Sequence, residues 1–156
     1  MTKCDNKSVG MLIRKDNTIL LIQRRKFPFG YAPPAGHIDD FDSPENAAIG
    51  EVREEVGLAV ENITLISEGQ RENPCRRNGG SYHHWWVYEV AISGDVCTNK
   101  DEVVQFLWCD MEKIEALAER TRRYSNNEIS QDEWKRNPGL ELVWYDWFIE
   151  LGIVAP

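Results

Sequence analysis

The stretch GHIDDFDSPENAAIGEVREEVGL, which runs from Gly36 to Leu58, is the most informative part of the sequence. Its second half predicts a helix over Pro44–Val56. The Ser43 hydroxyl suits the N-cap, proline suits the first helical position, and Gly57 can adopt the left-handed conformation that ends a helix. Apolar residues recur at every fourth position and predict a buried seam, formed by Ala48, Val52 and Val56.

Three glutamates lie on one face of this predicted helix. Glu51, Glu54 and Glu55 occupy positions i, i+3 and i+4, so their side chains are stacked one above another. Like charges at these spacings destabilise a helix by about 0.2–0.5 kcal/mol per pair, and a divalent cation shared by the carboxylates would offset this repulsion. The alternative is a charged helix face that is simply solvated.

The same stretch resembles the signature of the Nudix hydrolases. That signature is a glycine, five residues, a glutamate, seven residues, and then Arg-Glu-apolar-x-Glu-Glu-x-Gly-apolar. Two positions depart from it, because Asp42 replaces the first glutamate and Gly50 replaces the arginine. The residues that match in register are Gly36, Glu51, Val52, Glu54, Glu55, Gly57 and Leu58.

The resemblance implies a metal site and a catalytic role for the three glutamates. It implies that Glu51, Glu54 and Glu55 bind one or more divalent cations, usually Mg²⁺ with Mn²⁺ as an alternative, and that the backbone carbonyl near Gly36 joins them. One of these carboxylates is expected to act as the catalytic base, a role that some members give to the position of Glu51. Glu102 is similar to an additional metal-binding glutamate of some members, and the alternative is an ordinary surface acid.

The two departures lead to an expectation about activity. The family arginine at position 50 helps to orient the neighbouring Glu51, and a glycine inside a helix is about 0.8–1.0 kcal/mol less favourable than alanine. The sequence therefore predicts that Gly50→Arg raises both turnover and helix stability. Arg53 could substitute for the missing arginine, although a surface partner for a nearby carboxylate is the simpler interpretation. Asp42 keeps the charge of the glutamate with a shorter reach.

Residues that could bind a substrate lie outside the signature. Arg25 is similar to the position from which several members direct a basic side chain to the substrate phosphate, and Arg24 precedes it. A second basic place contains Arg71, Arg76 and Arg77.

An aromatic strand over Tyr82–Val90 carries Trp86, a candidate for stacking on a base. The alternation does not reveal which of its faces lines a pocket. His83 and His84 are expected to be structural rather than metal ligands.

Composition indicates the class of protein. The chain has 156 residues, 42% hydrophobic and 28% charged, which predicts one globular domain over residues 1–156. Its net charge of −8 disfavours binding to extended nucleic acid but is compatible with one small phosphorylated ligand. No apolar run approaches the length of a membrane span and no signal peptide is recognised, so a cytoplasmic location is expected. The sequence makes no prediction of oligomeric state.

Four cysteines are widely spread, with no CxxC pair: Cys4, Cys75, Cys97 and Cys109. We expect reduced thiols rather than a disulfide framework or a zinc site.

The pattern of apolar residues predicts the remaining elements. Strands are expected at SVGMLIR, TILLIQR, ITLISEGQRE, SYHHWWVYEVAIS and VVQFLWCD, with a proline- and glycine-rich loop at KFPFGYAPPAGHID and a helix at MEKIEALAER. A C-terminal helix carries an apolar stripe that is expected to pack on the sheet, with an aromatic platform for a base as the alternative: Leu140, Val143, Trp144, Trp147, Phe148 and Leu151. Together these elements predict an α/β fold with a mixed sheet between helical layers. The resemblance implies the Nudix α/β/α sandwich.

The function expected from the sequence is metal-assisted hydrolysis of a diphosphate bond in a nucleoside diphosphate linked to another group. Two alternatives stay open because of Asp42 and Gly50: a nucleotide sensor that does not cleave, and a protein-interaction module.

Overall fold

The computed structural model of the protein describes residues 2–156. The strands are β1 (Lys7–Lys15), β2 (Thr18–Arg24), β3 (Tyr31–Ala32), β4 (Ala35–His37), β5 (Ala59–Arg71), β6 (His83–Ser93) and β7 (Val103–Cys109). The helices are α1 (Pro44–Val56), α2 (Met111–Ser125), α3 (Gln131–Arg136) and α4 (Leu142–Glu150). No helix within residues 2–156 combines the length and the apolar character that crossing a bilayer requires.

The sheet is mixed, as predicted. β1 runs parallel to β6 and antiparallel to β2 and β4, while β2 also pairs antiparallel with β3 and β7. β5 and β6 form a further antiparallel pair, with Arg71 opposite His83 at the end that carries the arginine-rich loop. The central strand β1 therefore has neighbours on both sides and is buried on both faces.

Two hydrophobic cores lie on opposite faces of this sheet. Alternating residues of β1 and β2 face one core or the other, because successive side chains of a strand point in opposite directions. The first core packs α2 and α4 against the sheet and includes Leu12, Ile19, Leu21, Trp85, Leu117, Trp144, Trp147 and Phe148. The second packs α1 against the sheet and includes Val9, Met11, Ile13, Leu20, Ile22, Val52 and Val56. The predicted α/β sandwich is confirmed by this arrangement.

Helix α1 begins and ends where the sequence predicts. The Ser43 hydroxyl accepts a hydrogen bond from the Asn46 N–H at 3.1 Å, and Gly57 has a φ of 70°. The apolar seam of this helix is buried, and its acidic face points towards the edge formed by β4. The local chemistry of the chain thus places the three glutamates.

Other elements differ from the prediction in detail. The loop before the signature contains two short strands: β3 pairs with the neighbouring β2, and β4 pairs with the more distant β1. α2 continues to Ser125, and α3 was not predicted. The C-terminal helix is shorter than its stripe: Leu140 pairs with Tyr31 in an isolated bridge and Leu151 follows the last helical residue. The stripe packs in the first core, so the core interpretation is confirmed.

Candidate active site

A cavity of about 380 Å³ opens beside the acidic face of α1. Its walls come from α1, β4, the end of β2 and the loop between β5 and β6. Four glutamates that the sequence analysis identified line it, together with Gly36: Glu51, Glu54, Glu55 and Glu102. The structure thus brings every predicted metal ligand to one place.

Glu51 lies directly on the backbone of Gly36. A Cβ atom added to Gly36 would be 2.3 Å from Cδ of Glu51 and 2.6 Å from both carboxylate oxygens. Only glycine allows this approach, because any side chain would occupy the position of the carboxylate. A glycine is therefore required at position 36 of the signature for steric reasons in this chain.

Glu55 is buried, with 8% of its surface exposed. Its Oε1 accepts a hydrogen bond from the Ala35 N–H at 3.2 Å, which fixes the carboxylate next to Gly36. Burial raises the pKa of Glu55 to about 7, against the opposing effects of Arg24 and the Ala35 N–H. A buried carboxylate without a nearby cation is costly, so this group favours a positive charge in the cavity.

Burial also raises the pKa of Glu51, to about 8, and the negative charges of Glu55, Glu54, Asp39 and Glu102 add to the effect. Clustered oxygen donors of this kind are the ligands that Mg²⁺ and Mn²⁺ prefer. The donor set therefore fits the divalent cation that the sequence predicted.

Arg24, but not Arg25, lines the cavity. The Arg24 Nε donates to the Pro28 carbonyl at 2.7 Å. Arg25 is exposed, and its Nε and Nη2 donate to the carbonyls of Lys100 and Val103 at 2.8 and 3.4 Å. The phosphate-binding role expected for Arg25 thus has no support in the cavity lining, because carbonyls at and just before the start of β7 hold its guanidinium instead.

The aromatic strand presents a different tryptophan from the one expected. Trp85 lines the cavity, and its Nε1 donates to the Asn73 side chain at 3.1 Å. Trp86 points to the opposite face, where it packs against the second core and lies edge-on to His84. The sequence correctly predicted that Trp85 and Trp86 point to opposite faces of the sheet. It could not predict which of the two faces lines the cavity.

Position 50 has no room for the family arginine. A Cβ atom on Gly50 would lie 2.5 Å from Cε1 and Cζ of Phe41, whose ring packs against the second core. Gly50 therefore makes room for the Phe41 ring, so the glycine has a packing role and is more than the loss of an arginine. Arg53 is exposed and forms no ion pair within residues 2–156, so the structure gives no support to its substitution for the arginine.

This finding corrects the expectation for Gly50→Arg. Arginine gains about 0.8–1.0 kcal/mol in helix propensity, but displacing a packed ring costs about 1–3 kcal/mol. We expect the variant to unfold at a lower temperature than the wild type and to show no gain in turnover. Thermal denaturation of Gly50→Arg, Phe41→Ala and the double variant checks this: the double variant should lose less than the sum of the single losses. A stabilised Gly50→Arg would contradict it.

Two acidic residues of the cavity, Asp39 and Glu141, were not predicted from the sequence. Asp39 and Arg77 form a two-pronged ion pair at 2.5 and 2.9 Å, and Glu141 is buried at the N-terminus of α4. Arg24 opposes the burial that raises the pKa of Glu141. Arg77 belongs to the second basic place that the sequence indicated, whereas nothing local in the sequence marks Glu141.

A second cavity, of about 400 Å³, adjoins the first and is mostly apolar. Tyr124 and Trp134 stack in its wall with ring centroids 4.2 Å apart. Residues that line both cavities connect them: Phe27, Pro28, Asn73, Pro74 and Glu141. A polar, acidic site is therefore continuous with an apolar one.

Several known proteins resemble this chain in sequence or in fold. The ADP-ribose pyrophosphatase of Methanocaldococcus jannaschii is 42% identical over 132 residues, which cover 82% of this chain and 73% of that protein. An NAD-capped RNA hydrolase of Pseudomonas aeruginosa is 26% identical over 111 residues; these cover 70% of this chain but 38% of that protein, so the chain spans well under half of this relative. The crystal structure of a MutT NUDIX hydrolase from Burkholderia pseudomallei matches with a TM-score of 0.56 at 27% identity, over 69% of this chain and 84% of that one. A family model described as the NUDIX domain matches residues 5–129, and the chain therefore belongs to the Nudix family.

Proposed function

We propose that this protein is a divalent-cation-dependent hydrolase that cleaves a diphosphate bond in a nucleoside diphosphate linked to another group. One observation carries the proposal. Glu51, Glu54, Glu55 and Glu102 converge on a single cavity, with Glu51 fixed against Gly36 and Glu55 fixed by the Ala35 N–H.

The acidic residues would hold Mg²⁺, with Mn²⁺ as an alternative. A divalent cation in such a site neutralises charge on phosphate oxygens and lowers the pKa of water. The chain supplies the positions of the ligands: α1 fixes Glu51 and Glu55, and the ion pair of Glu102 with Lys26, at 3.5 Å, keeps the loop before β7 at the cavity. One carboxylate of this set would take the proton of the attacking water.

Arginines at the cavity would bind and orient the phosphates. Arg24, Arg76 and Arg77 line it, and the guanidinium fork matches the spacing of phosphate oxygens. Arg77 is already held by Asp39, so it is oriented before a ligand arrives. This local positive charge is compatible with the net charge of −8, because the arginines lie next to the reacting group.

The two connected cavities support a substrate with two parts. The diphosphate would lie among the acids and arginines, and an apolar ring such as a base would lie against Phe29, Tyr124 and Trp134. ADP-ribose and NAD, named in two of the relatives, each have a diphosphate that joins adenosine to a second sugar. We therefore place nucleoside diphosphates linked to a sugar-containing group first among the substrates.

The experiment is hydrolysis in ¹⁸O-labelled water with Mg²⁺, using ADP-ribose, NAD and a nucleoside triphosphate. Mass spectrometry of the products should find label in a phosphate product, because water attacks phosphorus. For substitutions of the acidic residues in the cavity, the matched control is Glu128→Gln. Glu128 is an exposed acid beyond the end of α2, so this substitution should leave turnover unchanged.

A nucleotide sensor is the second candidate, and the packing of Phe41 on Gly50 favours it, because the arginine that orients the catalytic glutamate in relatives has no place here. Nucleotide binding without any labelled product would support the sensor and contradict the hydrolase. A labelled product would exclude the sensor.

A further inference from the structure

Two cysteines and two histidines meet in one wall of the cavity, which His37, Cys75 and His83 line. Cys4 lies in the N-terminal segment, His37 on β4, Cys75 in the β5–β6 loop and His83 at the start of β6. One ligand atom of each lies within 4.8 Å of the ligand atoms of the other three. We call these four residues the Cys–His cluster.

The distances in the cluster match tetrahedral coordination. With metal–sulfur and metal–nitrogen bonds of about 2.3 and 2.0–2.1 Å, a tetrahedron places two sulfurs about 3.8 Å apart, and a sulfur and a nitrogen about 3.6 Å apart. The Cys4 and Cys75 sulfurs are 3.8 Å apart, and the Cys4 sulfur is 3.3 Å from Nε2 of His83. Both separations are thus close to those that a single bound ion requires.

Two residues of the cluster, Cys4 and His83, are buried, the other two are half-buried, and two ring nitrogens lack a hydrogen bond. Cys4 and His83 are 3% and 1% exposed. Nε2 of His37 and Nδ1 of His83 are buried without a hydrogen bond of ordinary geometry. A buried polar atom without a hydrogen bond lowers the stability of the folded state by about 1–3 kcal/mol. A ligand bound to Nε2 of His37 would remove this cost.

Backbone N–H groups donate to both sulfurs, and at Cys4 this hydrogen bond opposes the burial that raises the pKa of the thiol. The Asn6 N–H donates to the Cys4 sulfur at 3.3 Å, and the Arg77 N–H donates to the Cys75 sulfur at 3.4 Å. Gly80 lets the chain turn tightly over Cys75, since a Cβ atom there would be 2.2 Å from the sulfur. Hydrogen bonds from backbone N–H groups stabilise the negative form of an acceptor, and a thiolate is the form that binds metal.

We propose that Cys4, His37, Cys75 and His83 bind a structural zinc ion at a site separate from the carboxylate site. Two thiolates and two imidazoles form a complete tetrahedral set for Zn²⁺, whereas Mg²⁺ prefers the oxygen donors of the acidic site. All four positions are filled by protein atoms, which is typical of a structural rather than a catalytic zinc site. The inference goes beyond the proposed hydrolase activity and does not depend on it.

The zinc ion would connect segments that are distant in the sequence. The N-terminal segment already meets the β5–β6 loop through the Cys4 N–H to Asn78 carbonyl hydrogen bond, at 2.8 Å, and the bridge between Lys3 and Asn78. That loop carries Arg76 and Arg77 to the cavity. Metal bonds at Cys4 and Cys75 would fix this wall, and their free energy would add to that of folding.

The first test is the metal content of the full chain, purified without chelator in excess Mg²⁺ and measured by elemental analysis. We expect about one zinc per chain in the wild type and in Cys97→Ser, and less than about a tenth in Cys4→Ser/Cys75→Ser. Cys97 is the matched control because it is an exposed cysteine outside the cluster. Zinc that stays in the double variant, or that is lost in Glu51→Gln/Glu55→Gln instead, would overturn the proposal.

A second measurement uses only the wild-type chain, so it does not depend on the folding of the variants. Titration of metal-free, reduced protein with Co²⁺ should produce the visible absorption of a tetrahedral ion and a thiolate-to-cobalt charge-transfer band, and Zn²⁺ should remove both. Absence of these bands would overturn the proposal. So would an intact mass that shows Cys4 and Cys75 joined in a disulfide in freshly purified protein.

Discussion

Glu51→Gln and Glu55→Gln are each expected to lower turnover of a nucleoside diphosphate derivative by at least about 100-fold. Glutamine has the shape of glutamate, and in Glu55→Gln the amide oxygen can still accept the hydrogen bond from the Ala35 N–H. The loss would therefore come from the missing charge, which removes a metal ligand and a proton acceptor. Steady-state kinetics at saturating Mg²⁺ measure the turnover, and calorimetric titration with Mg²⁺ or Mn²⁺ should show weaker binding.

The control for this prediction is Glu128→Gln, which removes an exposed carboxylate that lines neither cavity. It should retain the wild-type turnover and metal affinity. Equal metal affinity in the wild type, Glu51→Gln and Glu55→Gln would show that these glutamates do not bind the ion.

The same substitutions are expected to lower turnover, but they should raise the stability of the folded state when metal is removed. The folded-state pKa values of about 8 for Glu51 and about 7 for Glu55 lie above the ordinary value of 4.5. The folded state thus binds more protons than the unfolded state, so stability is lost as pH rises through this range, at about 1.4 kcal/mol for each unit of pKa difference.

Above about pH 8 the metal-free wild type carries this full penalty, and Glu51→Gln does not. We therefore expect Glu51→Gln to unfold at a higher temperature than the wild type in chelator at alkaline pH, and the difference to shrink towards pH 5. Calorimetry of both proteins in the same chelator checks this. A less stable Glu51→Gln at every pH would indicate a packing defect, and its low turnover could not then be assigned to the charge.

The parts of the site that the sequence predicted are those set by local chemistry. The helical spacing of the glutamates, the Ser43 cap and the Gly57 stop act within a few residues, and the structure reproduces them. Glu102 is the exception: it joins the site from a distant loop, and only the family resemblance placed it there.

The parts that the sequence could not predict depend on which distant surfaces meet. Trp85 rather than Trp86 faces the cavity because β6 pairs with β1 in one register, and the alternation alone is symmetric between the two faces. Gly50 could be interpreted as a defect until Phe41 was found against it. The Cys–His cluster has no spacing typical of zinc sites, because its members come from four separate segments.

The close contact between Gly36 and Glu51 leads to a prediction about geometry rather than charge. In Gly36→Ala the new Cβ atom would lie 2.3 Å from Cδ of Glu51, so the carboxylate must move by about 1 Å or more to restore an ordinary contact. A displacement of this size can cost about 100-fold in rate, and we expect a loss of that order in turnover although every charged residue is still present.

The mechanism of that loss can be tested with a second substitution. In Glu51→Ala no carboxylate lies over position 36, so Gly36→Ala should destabilise the wild type clearly but the Glu51→Ala variant hardly at all. Thermal denaturation of the wild type, the two single variants and the double variant measures this coupling. If Gly36→Ala destabilised both backgrounds equally, the cost would come from the backbone of β4, and the glycine would not be what positions Glu51.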